Sequence, residues 1–109
     1  MEESISQAVK KLEKYVYTLP MAKQLNVLSG QARLAMIRLR DNVTDARASI
    51  VKYESSDDTR EQAQALEASI ENITETNEAI LAASQHDLLD AADVAHLSAL
   101  AQHIKERLQ

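Results

Sequence analysis

Apolar residues recur at helical spacing along almost the whole chain, and this periodicity constrains the fold more than any other feature. The 109 residues include a single Gly and a single Pro, and no Cys, Trp or Phe. The apolar content is mostly Leu, Ile, Val and Ala, and nothing supplies the turns that many short strands would need. The sequence therefore predicts one all-α domain over residues 1–109.

Start and stop signals divide this pattern into four predicted helices. Ser4 and Gln7 form a capping box, with the serine at the N-cap position and the glutamine three residues later. Pro20 ends the first helix and suits the first turn of the second, while Asp58 caps the third. We expect the second helix to run unbroken through Gly30, although glycine in a helix interior costs about 1 kcal/mol relative to alanine. The predicted helices lie near residues 4–18, 20–53, 58–84 and 88–108.

The two halves of the chain carry opposite charge. Residues 1–53 contain nine Lys or Arg and five Asp or Glu, whereas residues 54–109 contain three and twelve. The net charges are therefore +4 and −9, in line with the total of −5. Carboxylates at i and i+4 repel each other within one helix, so the third helix favours a basic neighbour, which a hairpin with the second helix supplies. The expected pairs are Arg33 with Glu78, Arg38 with Glu75, Arg40 with Glu71 and Arg47 with Glu67.

The hairpin is expected to be longer than the helices that flank it. A helix of about 33 residues extends roughly 50 Å, because each residue adds about 1.5 Å. Its tip would then be a two-helix overhang, which holds poorly in water without more burial. The predicted fold is thus an elongated antiparallel helical bundle built on a long helical hairpin and completed by dimerisation or by a helical partner. The apolar residues assigned to that interface are Leu39, Val43, Ile50, Leu66, Ile70 and Ile73.

Asn77 and the three tyrosines each have two interpretations. An Asn at a seam position can fix register and oligomeric state, or it can turn toward solvent after a small shift in helix phase. Tyr15, Tyr17 and Tyr53 lie at the ends of predicted helices, where they can anchor a binding surface or cover the core with the hydroxyl outward. The sequence leaves both alternatives open.

His86, His96 and His103 are the candidates for chemistry. A small helical bundle can carry a phosphorylated histidine, so a phosphorelay or regulatory protein that uses His96 or His103 is an alternative function. Histidine phosphotransfer domains place a Lys and a Gly shortly after that histidine, and the residues after His86 and His96 do not match. A di-iron bundle needs Glu-x-x-His on two helices and two further glutamates, and that set is absent. The sequence therefore predicts no metal and no cofactor.

A basic stripe on the second helix raises another alternative. Arg33, Arg40 and Arg47 share one helical face at seven-residue spacing, which would suit a nucleic-acid-binding regulator. Asp41 and Asp45 interrupt the stripe, the third helix should neutralise it, and the whole chain is acidic. Nucleic acid is therefore the less favoured partner.

The sequence lacks the motifs that are typical of enzymes and of membrane proteins. A single Gly excludes multi-glycine phosphate loops, no Ser–His–Asp order is evident, and the missing Cys excludes thiol catalysis. We therefore expect no enzyme and no small-molecule substrate. No apolar run approaches the roughly 18 residues of a membrane span, and no signal peptide begins the chain, so a cytoplasmic protein without membrane association is expected. Asn42 and Asn72 begin glycosylation sequons, but their predicted helical setting argues against modification.

Small size, acidity, four helices and amphipathic seams make the chain similar in composition to bacterial secretion chaperones and small helical regulators. The predicted function is a non-enzymatic protein–protein interaction module (adaptor, chaperone-like or regulatory). It would form a homodimer or bind a helical hetero-partner in a groove. Apolar seam residues would supply affinity, and the Arg and Glu stripes would supply selectivity.

Overall fold

The computed structural model describes residues 3–109 and contains five α-helices in that range. They are α1 Ile5–Thr18, α2 Pro20–Lys23, α3 Gly30–Ser55, α4 Thr59–Gln85 and α5 Ala91–Leu108. α3 and α4 are the longest, with 26 and 27 residues, whereas α2 is a single turn of four residues. A 3₁₀ turn, Leu25–Val27, lies between α2 and α3.

The four longer helices form an antiparallel bundle in which each packs against two others. α3 packs against α1 and α4, and α5 closes the arrangement by packing against α4 and α1. Glu54 near the end of α3 bonds the start of α1, and Tyr17 near the end of α1 bonds Thr44. Asn42 and Asn72 bridge α3 and α4 in the same head-to-tail sense. α1 and α4 therefore stand at opposite corners of the bundle, and both run antiparallel to α3.

The core lies between the four longer helices and consists of aliphatic side chains. Each of these helices contributes residues that are completely buried. Burial of one Leu, Ile or Val side chain contributes about 1.5–3 kcal/mol, so this cluster is the main stabilising element. The all-helical prediction is confirmed, since residues 3–109 contain no strand. The largest completely buried residues are Leu12, Met36, Leu39, Ile50, Ile73, Ile80, Leu97 and Ile104.

Local signals at the helix ends act as the sequence predicts. The Ser4 hydroxyl accepts from the Gln7 N–H at 3.1 Å, and the Gln7 side chain accepts from the Ser4 N–H at 3.0 Å, which completes the capping box. The Asp58 carboxylate caps α4 by accepting from the N–H of Arg60 at 2.9 Å. α4 ends in a Schellman motif in which Asp87, with φ 57°, takes the left-handed position that glycine usually fills.

The second predicted helix is broken, so the expectation of an unbroken helix over residues 20–53 is wrong. α2 and the 3₁₀ turn precede α3, which begins only at Gly30, where φ is +57°. Ser and Gly are weak helix formers, so a change of direction at this point costs little helical stability. The break lets Met21, Leu25 and Leu28 pack against the core. Burial of these apolar side chains favours the break over a continuous helix.

The hairpin tip is covered, which corrects the predicted two-helix overhang. Val43, Ala46 and Ile50 are completely buried. α1 lies along the C-terminal half of α3, because the segment between α1 and α3 spans the N-terminal half and lets α1 reach the tip. The described part of the chain measures 44 × 27 × 19 Å.

Glu54 attaches the N-terminus of α1 to the hairpin tip. Its carboxylate accepts from the backbone N–H of Ser6 at 2.6 Å and from that of Ile5 at 3.3 Å. Free N–H groups and the helix dipole both favour a negative charge at a helix start. Partial burial raises the pKa of Glu54, but hydrogen bonds from Ser6 and Ile5 and the charge of Arg107 lower it by more, so the net pKa lies below its ordinary value.

We expect Glu54→Gln to lower the free energy of unfolding by about 0.5–1 kcal/mol near neutral pH, a modest amount because the carboxylate is largely exposed. The depressed pKa determines the pH dependence. The Glu54 carboxylate contributes fully to the free energy of unfolding above its pKa in the unfolded chain, about 4.3. This contribution is lost as the pH falls through the lower pKa of Glu54 in the folded chain. Urea unfolding at a series of pH values measures both effects. Glu71→Gln, on the opposite corner of the bundle, is the control, and a deficit that persists in strong acid would contradict the assignment.

Gly30→Ala should lower the free energy of unfolding by about 1–2 kcal/mol, because the left-handed conformation brings a Cβ close to the following carbonyl oxygen. In the described part of the chain, nothing beyond the immediate neighbours of Gly30 lies within 4 Å of the added Cβ, so backbone strain is the whole cost. Gln31→Ala, at the next exposed position, should change stability little. Should Gly30→Ala match or exceed the wild-type stability in urea unfolding, the break in the helix would be refuted.

Candidate interaction surfaces

The six apolar residues predicted to face a partner belong to the interior of this chain. Four of them are completely buried: Leu39, Val43, Ile50 and Ile73. Leu66 and Ile70 are partly buried and pack against the same core. The other helices of the bundle cover these side chains, so in this fold an interface must use other residues.

Two arginines of the basic stripe on α3, Arg40 and Arg47, face α1 instead of α4. The Arg47 guanidinium lies 2.8 Å from the carboxylate of Glu13 on α1, not beside the predicted Glu67. The Arg40 guanidinium lies over the Tyr17 ring, 4.8 Å from its centroid, in a cation–π contact. Two of the three stripe arginines are thus engaged within the chain, and Arg33 is the exposed arginine of this stripe.

None of the four predicted Arg–Glu pairs is among the ion pairs within residues 3–109. The register of the hairpin explains this. Bridges between α3 and α4 join residues 42 and 75 and residues 45 and 72, whose numbers add to 117. The residue numbers of the predicted pairs add to only 111–114, so the two partners of each pair are offset along the bundle by about one helical turn or more. Arg33 and Arg38 are exposed instead.

The acidic residues of α4 form a solvent-exposed stripe. Glu67, Glu71, Glu75 and Glu78 are all exposed, and steps of four, four and three residues place them on one face of the helix. None of them joins an ion pair within the described part of the chain. Like charges at this spacing repel each other, so a basic neighbour from outside the chain would stabilise the stripe.

A groove of about 360 Å³ lies between α3 and α4, at the end of the bundle away from the hairpin tip. Its floor consists of the small side chains of Ala35, Ala79 and Ala82. Small residues between two helices leave room for a large side chain of a third helix. The polar and charged residues around the floor are Gln31, Arg38, Asn42, Glu75, Glu78 and His86.

Three large apolar side chains are exposed at the same end of the bundle. Val27 in the 3₁₀ turn is 65% exposed, Leu81 on α4 is 57% exposed and Leu34 on α3 is 38% exposed. The first turns of α3 project beyond α1, because Tyr17 near the end of α1 is level with Thr44. Apolar side chains in water beside a groove are typical of an interaction surface.

α1 presents a basic ridge at the corner opposite the acidic stripe. Lys10, Lys11 and Lys14 are all exposed. Lys11 lies 2.7 Å from the carboxylate of Glu3, and the hydrogen bond from the lysine lowers the pKa of Glu3. Exposed ion pairs of this kind are weak and open readily in water, so the ridge stays available to another molecule.

His96 lies in an open groove of about 450 Å³ between α1 and α5. Its ring contacts that of Tyr15, with 4.5 Å between the centroids. Lys11 and Lys14 line the same groove. The Tyr15 hydroxyl donates to Asp93 at 2.7 Å, and this hydrogen bond, aided by burial and the charge of Asp93, raises the pKa of Tyr15. The imidazole thus shares this groove with two lysine side chains.

The other candidates are spread over the molecule. His86 lines the α3–α4 groove, and His103 is exposed on α5. Tyr53 is partly buried against the core, and Asn77 is half-buried on α4. Within residues 3–109, no group of three or more His, Asp or Glu side chains is placed to hold a metal ion. The structure therefore does not bring the three histidines together.

Sequence reasoning misses the face of α4 that packs against α3. Asn72 donates to the Asp45 carbonyl at 3.3 Å and to the Ser49 hydroxyl at 3.1 Å, and Asn42 donates to the Glu75 carbonyl at 3.4 Å. The two sequon asparagines are thus bridges between helices. A readable signal exists, because small or polar residues recur at steps of four and three along this face. They are Ala65, Ser69, Asn72, Thr76, Ala79 and Ala83.

No protein-family model, curated protein or solved structure matches the chain. Among residues 3–109, no helix combines the length and the apolar character needed to cross a bilayer. A functional interpretation therefore depends on the surfaces described above.

Proposed function

We propose that this chain is a non-enzymatic helical interaction module, of the adaptor, chaperone-like or regulatory kind, that self-associates or binds a helical partner. The α3–α4 groove would hold one helix of the partner or of a second copy. The observation that carries this proposal is the groove with an alanine floor, at the end of the bundle where Val27, Leu34 and Leu81 are exposed. Helix-in-groove binding needs such apolar contacts for affinity and charged rims for orientation.

The shape of the groove suits a helix better than a small molecule. Small-molecule sites are mostly enclosed and apolar, whereas this groove lies open between two helices and carries charged rims. A large side chain at every third or fourth position of a partner helix could insert above the alanines. Arg38 lies on the α3 side, and Glu75 and Glu78 lie on the α4 side. A partner helix with one acidic and one basic flank would therefore satisfy both rims.

Ala82→Arg should weaken binding at least tenfold, which is about 1.4 kcal/mol, because a long charged side chain would occupy the groove. Ala82 is only half-buried, so the fold should tolerate the change. Ala99→Arg is the matched control, since it places the same side chain at an exposed position of α5. Sedimentation equilibrium over a concentration series measures self-association of the wild type and both variants.

If the wild-type chain stays monomeric, the same variants are compared for binding to a hetero-partner. The partner would be purified and identified, and its dissociation constant would be measured by calorimetry with the wild type and both variants. We expect the defect only with Ala82→Arg. Equal affinity of Ala82→Arg and wild type would refute the groove as the binding site.

A second candidate function is phosphoryl transfer through His96. The observation in its favour is the position of Lys11 and Lys14 in the groove beside this exposed imidazole. Two ammonium groups would stabilise the negative charge that a phosphoryl group brings. A regulatory protein of this class would accept the group from a phosphorylated partner and pass it on.

Phosphoramidate tests this second candidate, because a ring nitrogen can attack its phosphorus atom while the P–N bond breaks and ammonia leaves. We expect phosphorus NMR to detect phosphohistidine in the wild type and to lose that signal in His96→Gln. Lys11→Gln combined with Lys14→Gln should slow the reaction several-fold. His103→Gln is the control on the same helix, and equal labelling of all three histidines would contradict a dedicated site at His96.

A further inference from the structure

The outward faces of α1 and α4 carry opposite charge at opposite corners of the bundle. Both helices pack against α3 and α5. Lys10 and Lys14 on α1 are exposed, and so are Glu67 and Glu71 on α4. These two pairs of charges cannot compensate each other within one chain, yet every copy of the chain presents both.

The contacts of the bundle show which residues of α1 and α4 are level with each other. Residues in contact between α1 and α3, such as Glu13 and Arg47, have numbers that add to about 60. Those that bridge α3 and α4, such as Asn42 and Glu75, add to 117. A residue of α1 is therefore level with the α4 residue about 57 positions later in the chain.

This offset matches three outward residues of α1, and Glu3 just before its N-cap, with four outward residues of α4. Both sets follow steps of four, three and four residues, which places Gln7, Lys10 and Lys14 on one face of α1 and the matching residues on one face of α4. Every charge in one set meets the opposite charge in the other, and a glutamine meets a glutamine. The level pairs are Glu3 with Arg60, Gln7 with Gln64, Lys10 with Glu67 and Lys14 with Glu71.

We propose that α1 of one copy docks against α4 of a second copy through these four level pairs, an inference that rests on the proposed interaction function. α1 and α4 point in the same direction, because both run antiparallel to α3. A second copy displaced sideways, without rotation, therefore brings the two helices together in register. Glu3 would exchange its partner Lys11 for Arg60 of the neighbouring copy.

The two surfaces lie at opposite corners, so the contact is heterologous and leaves one free surface at each end. Assembly therefore continues beyond a dimer. Exposed charges give the contact most of its selectivity and little of its stability, which makes it weak and sensitive to salt. Mass should rise with concentration at an ionic strength of about 10 mM and return to that of a monomer at about 1 M.

Neutral variants that each remove one surface test the proposal. Lys10→Gln with Lys14→Gln removes the basic side, and Glu67→Gln with Glu71→Gln removes the acidic side. Each double variant alone should be monomeric by sedimentation equilibrium at low salt, with an association constant at least tenfold below that of the wild type. An equimolar mixture should form a one-to-one complex and nothing larger, because each chain keeps one working surface.

A control and a charge reversal complete the experiment. Lys23→Gln with Lys52→Gln changes the net charge of the chain as the basic-side variant does, but at exposed positions outside α1 and α4, and should associate like the wild type. Reversal of all four charges in one chain, by Lys10→Glu, Lys14→Glu, Glu67→Lys and Glu71→Lys, should preserve assembly.

Two outcomes would overturn the proposal. One is a wild type that is monomeric at every concentration in low salt, and the other is a mixture of the two double variants that forms no complex. Neither outcome tests whether the groove between α3 and α4 binds a helix of a hetero-partner. Ala82→Arg tests that groove separately, so a failure of this contact and a failure of the proposed function are distinguishable.

Discussion

The close antiparallel contact between α3 and α4 determines where the other elements lie. Small side chains on one face of α4 let the two helices approach, and the asparagine bridges fix their register. The buried hydroxyls of Ser69 and Thr76 donate to carbonyls of their own helix at 2.6 and 2.8 Å, so burial leaves them satisfied. The large aliphatic residues of α4 are thereby turned toward the centre of the bundle, where α1 and α5 must cover them.

Polar contacts then decide how α1 attaches to this pair. Glu54 bonds its N-terminus, Arg47 pairs with Glu13, and Arg40 lies over Tyr17. These contacts engage Arg40 and Arg47 on the α1 side, and within residues 3–109 none of Glu67, Glu71, Glu75 and Glu78 on α4 joins an ion pair. The charge difference between the two halves of the sequence thus becomes a difference across the bundle, instead of being neutralised along the hairpin.

How far the sequence predicts this fold depends on the range of the interaction involved. The all-helical class and the caps at Ser4 and Asp58 depend on residues a few positions apart, and these predictions are confirmed. The break at Gly30 depends on burial of Leu25 and Leu28 against distant helices, which periodicity does not report. The burial of the predicted interface residues inside this chain is hidden from the sequence for a related reason. A stripe of Leu, Ile and Val marks a face to be buried, but it does not say whether the same chain or another chain buries it.

The proposed contact with a second copy and the proposed helix-binding groove use neighbouring parts of α4. Glu67 and Glu71 lie toward the hairpin tip, whereas Glu75 and Glu78 border the groove near the other end of α4. A second copy docked on the first pair would place its α1 over Glu67 and Glu71, and that helix ends level with Glu75. Self-association and capture of a helix would then be compatible. Copies related by a sideways shift would present their grooves in a row, so a partner with repeated helices would bind several copies more tightly than one.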